Sequence, residues 1–247
     1  RALPLRRVWS VRLWLLILVL LLAACSRDDE RERGLTPDSL ARPAENTSGS
    51  AIPAEPEVPA DAPLVLFLGD SISAGLHLDE HQAFPRVLAR TLAAEGHPFR
   101  LVNAGVSGDT TAGGLARLDW LLRQAPDVLV VELGGNDGLR GQPVAAIEER
   151  LRAIVARGTA AGARVLLLGA QLPPSLGREY VAEFEALFAR VAAELGCAYL
   201  PRFLDGVGGV PGMMLDDGIH PSAAGHERVA ENVAPALHAL LEEPGGG

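Results

Sequence analysis

Leu64-Val65-Leu66-Phe67-Leu68-Gly69-Asp70-Ser71 is the stretch on which the architecture turns. Five consecutive large apolar residues, cut off by glycine and aspartate, leave no polar face for water. Such a run suits a strand buried on both sides, as in a parallel sheet covered by helices. Working outward, similar runs return at 100–104, 128–133, 165–169 and 197–200. Between them lie amphipathic stretches of helical length at 84–95, 111–123, 144–161 and 178–195, and a last one spans 221–241. Alternating strand and helix predicts an α/β domain with a parallel sheet, crossover helices on both faces and three layers, α/β/α. Five strands suggest a flavodoxin-like order, 2-1-3-4-5. No repeat or linker interrupts the pattern, so residues 63–247 are read as one domain.

In sheets of this kind chemistry gathers beyond the carboxyl ends of the strands. The first strand is followed by Gly69-Asp70-Ser71-Ile72-Ser73, the second by Gly105-Val106-Ser107-Gly108-Asp109-Thr110 and the third by Gly134-Gly135-Asn136-Asp137. After the fourth comes Gln171-Leu172-Pro173-Pro174. A long loop after the fifth ends Asp216-Asp217-Gly218-Ile219-His220-Pro221. Serine, glycine, asparagine, aspartate and histidine thus meet on one edge. Acyl transfer needs those parts: a nucleophile, a base, a group that orients the base, and donors for an oxyanion.

Each residue also has a plainer role. Ser71 follows a buried strand in a tight turn, as a nucleophile or as a helix N-cap. Asp217 and His220 stand three apart on a turn leading into a helix that Pro221 can start. That spacing lets a carboxylate hold one imidazole nitrogen and leaves the other for Ser71, although Asp217 or Asp216 also suits an ordinary surface turn. Asn136 can donate its amide to an oxyanion or make an Asx turn. Gly108 can offer an unobstructed backbone N–H or simply supply positive φ.

With these blocks in order, the chain resembles the SGNH hydrolase superfamily. Gly69-Asp70-Ser71-Ile72 is similar to its GDSL motif, with isoleucine for the family leucine. The run Val131-Glu132-Leu133-Gly134-Gly135-Asn136-Asp137-Gly138-Leu139-Arg140-Gly141 and the block 216–221 extend the match. Within the superfamily the chain looks most like bacterial thioesterase/lysophospholipases and arylesterases, over roughly residues 64–241. The resemblance implies a serine esterase of the flavodoxin-like SGNH fold, acting on aryl, short-acyl or lysophospholipid esters or thioesters through an acyl-enzyme. It implies Ser71 as nucleophile, His220 as general base and Asp217 as its orienting acid. The oxyanion hole would be the Ser71 and Gly108 N–H groups with the Asn136 side chain. No metal and no organic cofactor is needed. Leu139, Leu172, Pro173, Met213 and Met214 lie on loops near this set, as pocket walls or as ordinary loop packing.

Ahead of the domain, residues 1–24 read as a secretory signal: an arginine-rich start and an apolar run over 13–24. Twelve residues are too few for a bilayer span, which takes about 20, but suit a signal core. Leu22-Ala23-Ala24-Cys25 resembles a bacterial lipobox, which implies lipidation of Cys25 and a membrane anchor; an uncleaved N-terminal anchor is the alternative. Ser26 after the cysteine points to the outer membrane. Residues 25–62 then form a lipidated cysteine and a tether, since prolines and charge leave little there to bury. Either reading puts the domain in the cell envelope, facing the periplasm.

Composition narrows the partners. The 247 residues carry 22 Lys+Arg, all arginine, against 31 Asp+Glu, for a net charge of −9. Without lysine there is no P-loop, Schiff-base or Ser-Lys chemistry. Removal of the first 24 residues, which hold four arginines and no acid, takes the charge to −13. Such a surface has no electrostatic reason to hold nucleic acid; a small-molecule or lipid ester is the expected partner. Cys25 and Cys197 cannot build a disulfide framework, and Cys197 is expected to pack as a small hydrophobe. Two alternatives stay open. One is a metal-dependent phosphoesterase using Asp70, Asp109, Asp137 and Asp217, with Arg140 as phosphate clamp; the other is a non-catalytic envelope lipoprotein. His77, His81, His97, His226 and His238 show no paired metal-binding spacing and are expected in solvated or helix-surface roles.

Overall fold

The structure, a computed structural model, describes residues 57–243. The signal segment, the lipobox with Cys25 and most of the tether lie outside the described residues. Five parallel strands form one sheet: β1 (Leu64–Gly69), β2 (Arg100–Gly105), β3 (Val128–Glu132), β4 (Arg164–Leu168) and β5 (Ala198–Leu200), in the order β2-β1-β3-β4-β5. The expected three-layer fold and strand order are therefore present. β1 and β3 are central and buried along their whole length, whereas the edge strand β2 has exposed positions. Successive side chains of a strand point to opposite faces, and both faces here are covered. Leu66 and Leu68 enter the core beneath α3 (Thr111–Leu122), α5 (Val144–Ala160) and α6 (Arg178–Leu195). Val65 and Phe67 enter the core beneath α2 (Phe84–Ala94) and α7 (Ala223–Glu242). Each such side chain contributes about 1.5–3 kcal/mol by burial.

Two short helices escaped the sequence reading: α1 (Ser71–Ala74) and α4 (Gly135–Leu139). One turn carries no amphipathic period, so nothing in the hydrophobic pattern marks them. Both open at the carboxyl end of a central strand, and both carry candidate site residues. The last helix begins later than Pro221 suggested. Pro221 pairs with Met214 in an isolated antiparallel bridge, and Ser222 caps the helix by accepting the Gly225 N–H at 3.2 Å.

One expectation for the histidines is corrected here. His226 is buried, 1% exposed, and its Nδ1 accepts the Phe84 N–H at 3.0 Å. That N–H opens α2 and has no partner within its own helix, and the Ala83 N-cap offers no side-chain oxygen. His226 thus caps one helix from another. His97 and His238, separated by 141 positions in the sequence, have their rings in contact with centroids 3.9 Å apart. Cys197, just before β5, is half-buried against the core, and burial pushes its thiol pKa up.

Candidate active site

β1 ends in a turn that exposes its next hydroxyl. Asp70 caps α1 by accepting the Ile72 N–H at 3.0 Å, so Asp70, and not Ser71, is the N-cap. Ser71 becomes the first helical residue. Its Oγ lies 2.9 Å from His220 Nε2, and His220 Nδ1 lies 2.6 Å from Asp217 Oδ2. The three residues predicted to act together are brought together across 149 positions of sequence.

The loop that delivers His220 is closed by backbone bonds. Leu215 donates to the His220 carbonyl at 2.8 Å, and Ser222 donates to the Met213 carbonyl at 2.9 Å. This loop sits directly on α7, where a Cβ on Gly225 would come within 2.1 Å of the Met213 carbonyl oxygen. Asp217 also accepts the N–H groups of Ile219 at 2.8 Å and His220 at 3.0 Å. The backbone bond from His220, then its ring, then Ile219, hold the Asp217 carboxyl well below the usual carboxylate range. The surface-turn and imidazole-orienting readings of Asp217 are thus both realised by the same carboxylate. With Nδ1–H fixed on Asp217, Nε2 is left bare to accept the Ser71 proton.

The expected oxyanion donors occupy neighbouring rim positions. Gly108 has φ +79°, in the left-handed region, and no heavy atom lies within 3.4 Å of where its Cβ would stand. The glycine is therefore required by conformation rather than by close packing. Neither Ser71 nor Gly108 donates its N–H to a backbone carbonyl among the described residues. Asn136, on α4, donates from Nδ2 to Asp70 Oδ2 at 3.0 Å. An amide NH₂ carries two hydrogens, so one fixes Asn136 to the nucleophile's turn and the other is left for the rim.

Beneath the rim lies a polar layer that sequence reasoning missed. Glu132, 3% exposed, accepts the Asp70 N–H at 3.1 Å, the Ser73 N–H at 3.2 Å and the Ser73 hydroxyl at 2.8 Å. Burial, then the charge of Asp70, push its pKa well above the usual carboxylate value. Burial raises Asp70 as well, against its bonds to Ile72 and Asn136. Arg117 donates from Nε to Asp109 at 2.8 Å, from Nη1 to the Ala104 carbonyl at 2.5 Å and from Nη2 to the Gly69 carbonyl at 3.0 Å. One guanidinium therefore joins the ends of β1 and β2 to the loop carrying Gly108. Asp137, 1% exposed, accepts the Thr111 N–H and hydroxyl, both at 2.8 Å, and so ties Asn136's helix to the start of α3. The only hint in the sequence was an acid closing the otherwise apolar run of β3.

The remaining candidates divide. Leu139 is exposed, whereas Leu172 is buried in the core near Gly138. Pro173 is exposed ahead of a short 3₁₀ turn. Met213 and Met214 are half-buried, and Met214 helps line a cavity of about 410 Å³ with His77, Leu215, Asp216 and Asp217. His77, expected on a solvated surface, is exposed but stands at φ +69° with its ring 6.2 Å from that of His220 and nearly perpendicular to it. The four aspartates of the phosphoesterase alternative do not converge. Asp70 serves Ile72 and Asn136, Asp109 serves Arg117, Asp137 serves Thr111, and Asp217 serves His220. Arg140 donates to the Gly108 carbonyl.

Comparison with known proteins fits this geometry. Residues 67–228 match the model of the GDSL-like lipase/acylhydrolase family. The chain is 51% identical over 183 residues to esterase TesA of Pseudomonas aeruginosa, covering 74% of this chain and 91% of that one. It is 40% identical to thioesterase 1/protease 1/lysophospholipase L1 of Escherichia coli, covering 74% of this chain and 86% of that one. The crystal structure of the psychrotrophic esterase EstA from a Pseudoalteromonas species, inhibited by monoethylphosphonate, superposes with a TM-score of 0.70 at 31% identity. That match covers 73% of this chain and 99% of EstA.

Proposed function

The chain belongs to the GDSL-like lipase/acylhydrolase family, and on that premise we propose that Ser71, His220 and Asp217 perform its esterase chemistry. The observation that carries this reading is the continuous relay from Ser71 Oγ through His220 to Asp217, at 2.9 and 2.6 Å. His220 Nε2 takes the Ser71 proton as Oγ attacks the ester carbonyl carbon. The carbonyl electron pair moves onto oxygen, where the Ser71 and Gly108 N–H groups and the free Asn136 hydrogen receive it. Asp217 stabilises the imidazolium without taking its proton. Collapse of the tetrahedral adduct expels the alcohol, which leaves with the proton from His220 Nε2. Water then repeats the sequence on the acyl-enzyme, returning Ser71 and the free acid.

Apolar exposure around the rim supports lipid-derived or aryl esters as substrates. Val106, Leu139 and Ile219 are 48%, 41% and 53% exposed, and each lies on a rim segment that also carries Gly108, Asn136 or His220. Leu172 is better assigned to the core than to a pocket wall. The cavity lined by His77, Met214, Leu215, Asp216 and Asp217 adjoins the Asp217 end of the relay. Lysophospholipids and aryl or short-acyl esters fit this arrangement. Thioester hydrolysis requires the same chemistry but is incidental in an envelope compartment, where bulk acyl-CoA is absent. The domain spans residues 63–247, anchored through Cys25 on the periplasmic side of the envelope. The lipobox-like Leu22-Ala23-Ala24-Cys25 supports that location.

A serine-directed ethylphosphonate tests the assignment. Mass spectrometry should find one adduct per chain, on Ser71, and none in Ser71→Ala. Labelling elsewhere, or equal labelling of both proteins, would overturn it. Hydrolysis of short aryl esters without attack on lysophospholipid micelles would remove the lipid reading and leave the esterase intact.

A further inference from the structure

His97, His238 and Glu242 form a cluster at the edge of the domain remote from Ser71. His97 lies in the loop after α2, three residues before β2 begins, and hence at the amino ends of the parallel strands. Ser71 follows the carboxyl end of β1. His238 and Glu242 are one turn apart on the last two turns of α7, so they share a face. One donor atom from each of the three residues lies within 4.8 Å of the other two. His238 Nε2 is 3.4 Å from Glu242 Oε1. That contact is not aligned as a hydrogen bond, and the buried Nε2 has no hydrogen-bond partner among the described residues. An imidazole nitrogen shielded from water without a hydrogen bond is uncommon and calls for an explanation.

We propose that His97, His238 and Glu242 bind a divalent transition-metal ion, zinc or a similar ion, that fastens the C-terminal helix to the loop before β2. Two imidazoles and one carboxylate are the donor set preferred by Zn²⁺, Ni²⁺ or Cu²⁺ over Mg²⁺ or Ca²⁺. Ligand atoms around a tetrahedral zinc, with bonds of 2.0–2.1 Å, stand about 3.3 Å apart. The His238–Glu242 separation, 3.4 Å, already matches that edge, and the His97 ring, its donor within 4.8 Å of the other two, has to turn to complete the set. A fourth position stays open to water. Nearby, Arg164 donates to the carbonyls of Leu240 and Glu243, which holds the helix end in place without occupying the Glu242 carboxylate. Because the ion joins chain segments far apart in sequence, binding must favour the folded state. It takes no part in ester hydrolysis, since its position is on the opposite edge.

Titration calorimetry of the untagged, chelator-treated protein with zinc chloride tests this, alongside His97→Ala, His238→Ala, Glu242→Gln and His220→Ala. The expected result is one site per chain and a thermal midpoint raised by several degrees at saturation. His97→Ala and His238→Ala should each weaken binding at least tenfold, Glu242→Gln less, and His220→Ala not at all. Cobalt(II) in place of zinc should give visible bands of tetrahedral type in the wild type and lose them in His238→Ala. Ester turnover of the metal-free His97→Ala and His238→Ala proteins should equal that of the wild type, which also shows that they are folded. Absence of binding at micromolar zinc would overturn the proposal. So would equal binding by the histidine variants, or loss of binding in His220→Ala alone.

Discussion

Asn136 spends one amide hydrogen on Asp70 and keeps the other for the rim, so its two jobs can be separated. Asn136→Ala should lower kcat by about 10²–10³-fold, or about 2.7–4 kcal/mol, with KM nearly unchanged. Asn136→Asp, which has no hydrogen to donate and adds a charge beside Asp70, should be worse. Steady-state kinetics on one aryl ester checks both. Two buried titratable residues give stability slopes of opposite sign. Burial lowers the His226 pKa from 6.5 to about 4, so the unfolded chain takes up the proton first as pH falls. Stability from neutral His226 is complete above pH 6.5 and lost by pH 4, a change of about 3 kcal/mol. The stability advantage of wild type over His226→Phe should shrink by that amount from pH 7 to pH 4 in urea titrations. Glu132 is raised instead, so the unfolded chain ionises first as pH climbs past 4.5. Wild type should therefore lose ground to Glu132→Gln as pH rises. A constant offset between wild type and either variant would contradict the directions of these shifts.

The longer elements were legible from residue pattern, and the short ones were not. β1 and β3 are unbroken apolar runs, and a run without a polar face can only be buried on both sides. α2, α3, α5 and α6 each keep an amphipathic period over 11 or more residues. α1 and α4 are four- and five-residue turns whose shape comes from Asp70 and Gly134 at their starts. The rim residues could still be named, because chain order places one loop after each strand. Glu132, Arg117 and Thr111 could not, since their value lies in contacts 59, 48 and 26 positions away. Arg117 makes the sharpest prediction at this scale. It sets the distance between the Ser71 turn and the Gly108 loop through three bonds of fixed fork geometry, which lysine cannot reproduce. Arg117→Lys should lower kcat by about 10²-fold, the cost of a misplacement near 1 Å, with little change in KM. An equal effect on both constants would assign Arg117 to substrate binding.

For the whole molecule, the parallel sheet separates its two edges by role. Polar side chains that meet at the carboxyl edge form the proposed catalytic set. At the amino edge, His97, His238 and Glu242 meet with no part in it. The N-terminal segment carries the proposed membrane anchor, whose effect would be on location alone. Cys25→Ser should move the protein out of the membrane fraction and leave turnover of soluble esters unchanged. Retention in the membrane would favour an uncleaved anchor. Ester hydrolysis by Ser71 is the claim on which the rest depends. The most direct measurement is turnover of a p-nitrophenyl acyl series, C2 to C16, by the purified protein and by Ser71→Ala, each with and without EDTA. The relay from Ser71 to Asp217 predicts turnover in the wild type that EDTA does not diminish and that Ser71→Ala abolishes. Equal turnover by both proteins, or none at any chain length, would contradict it.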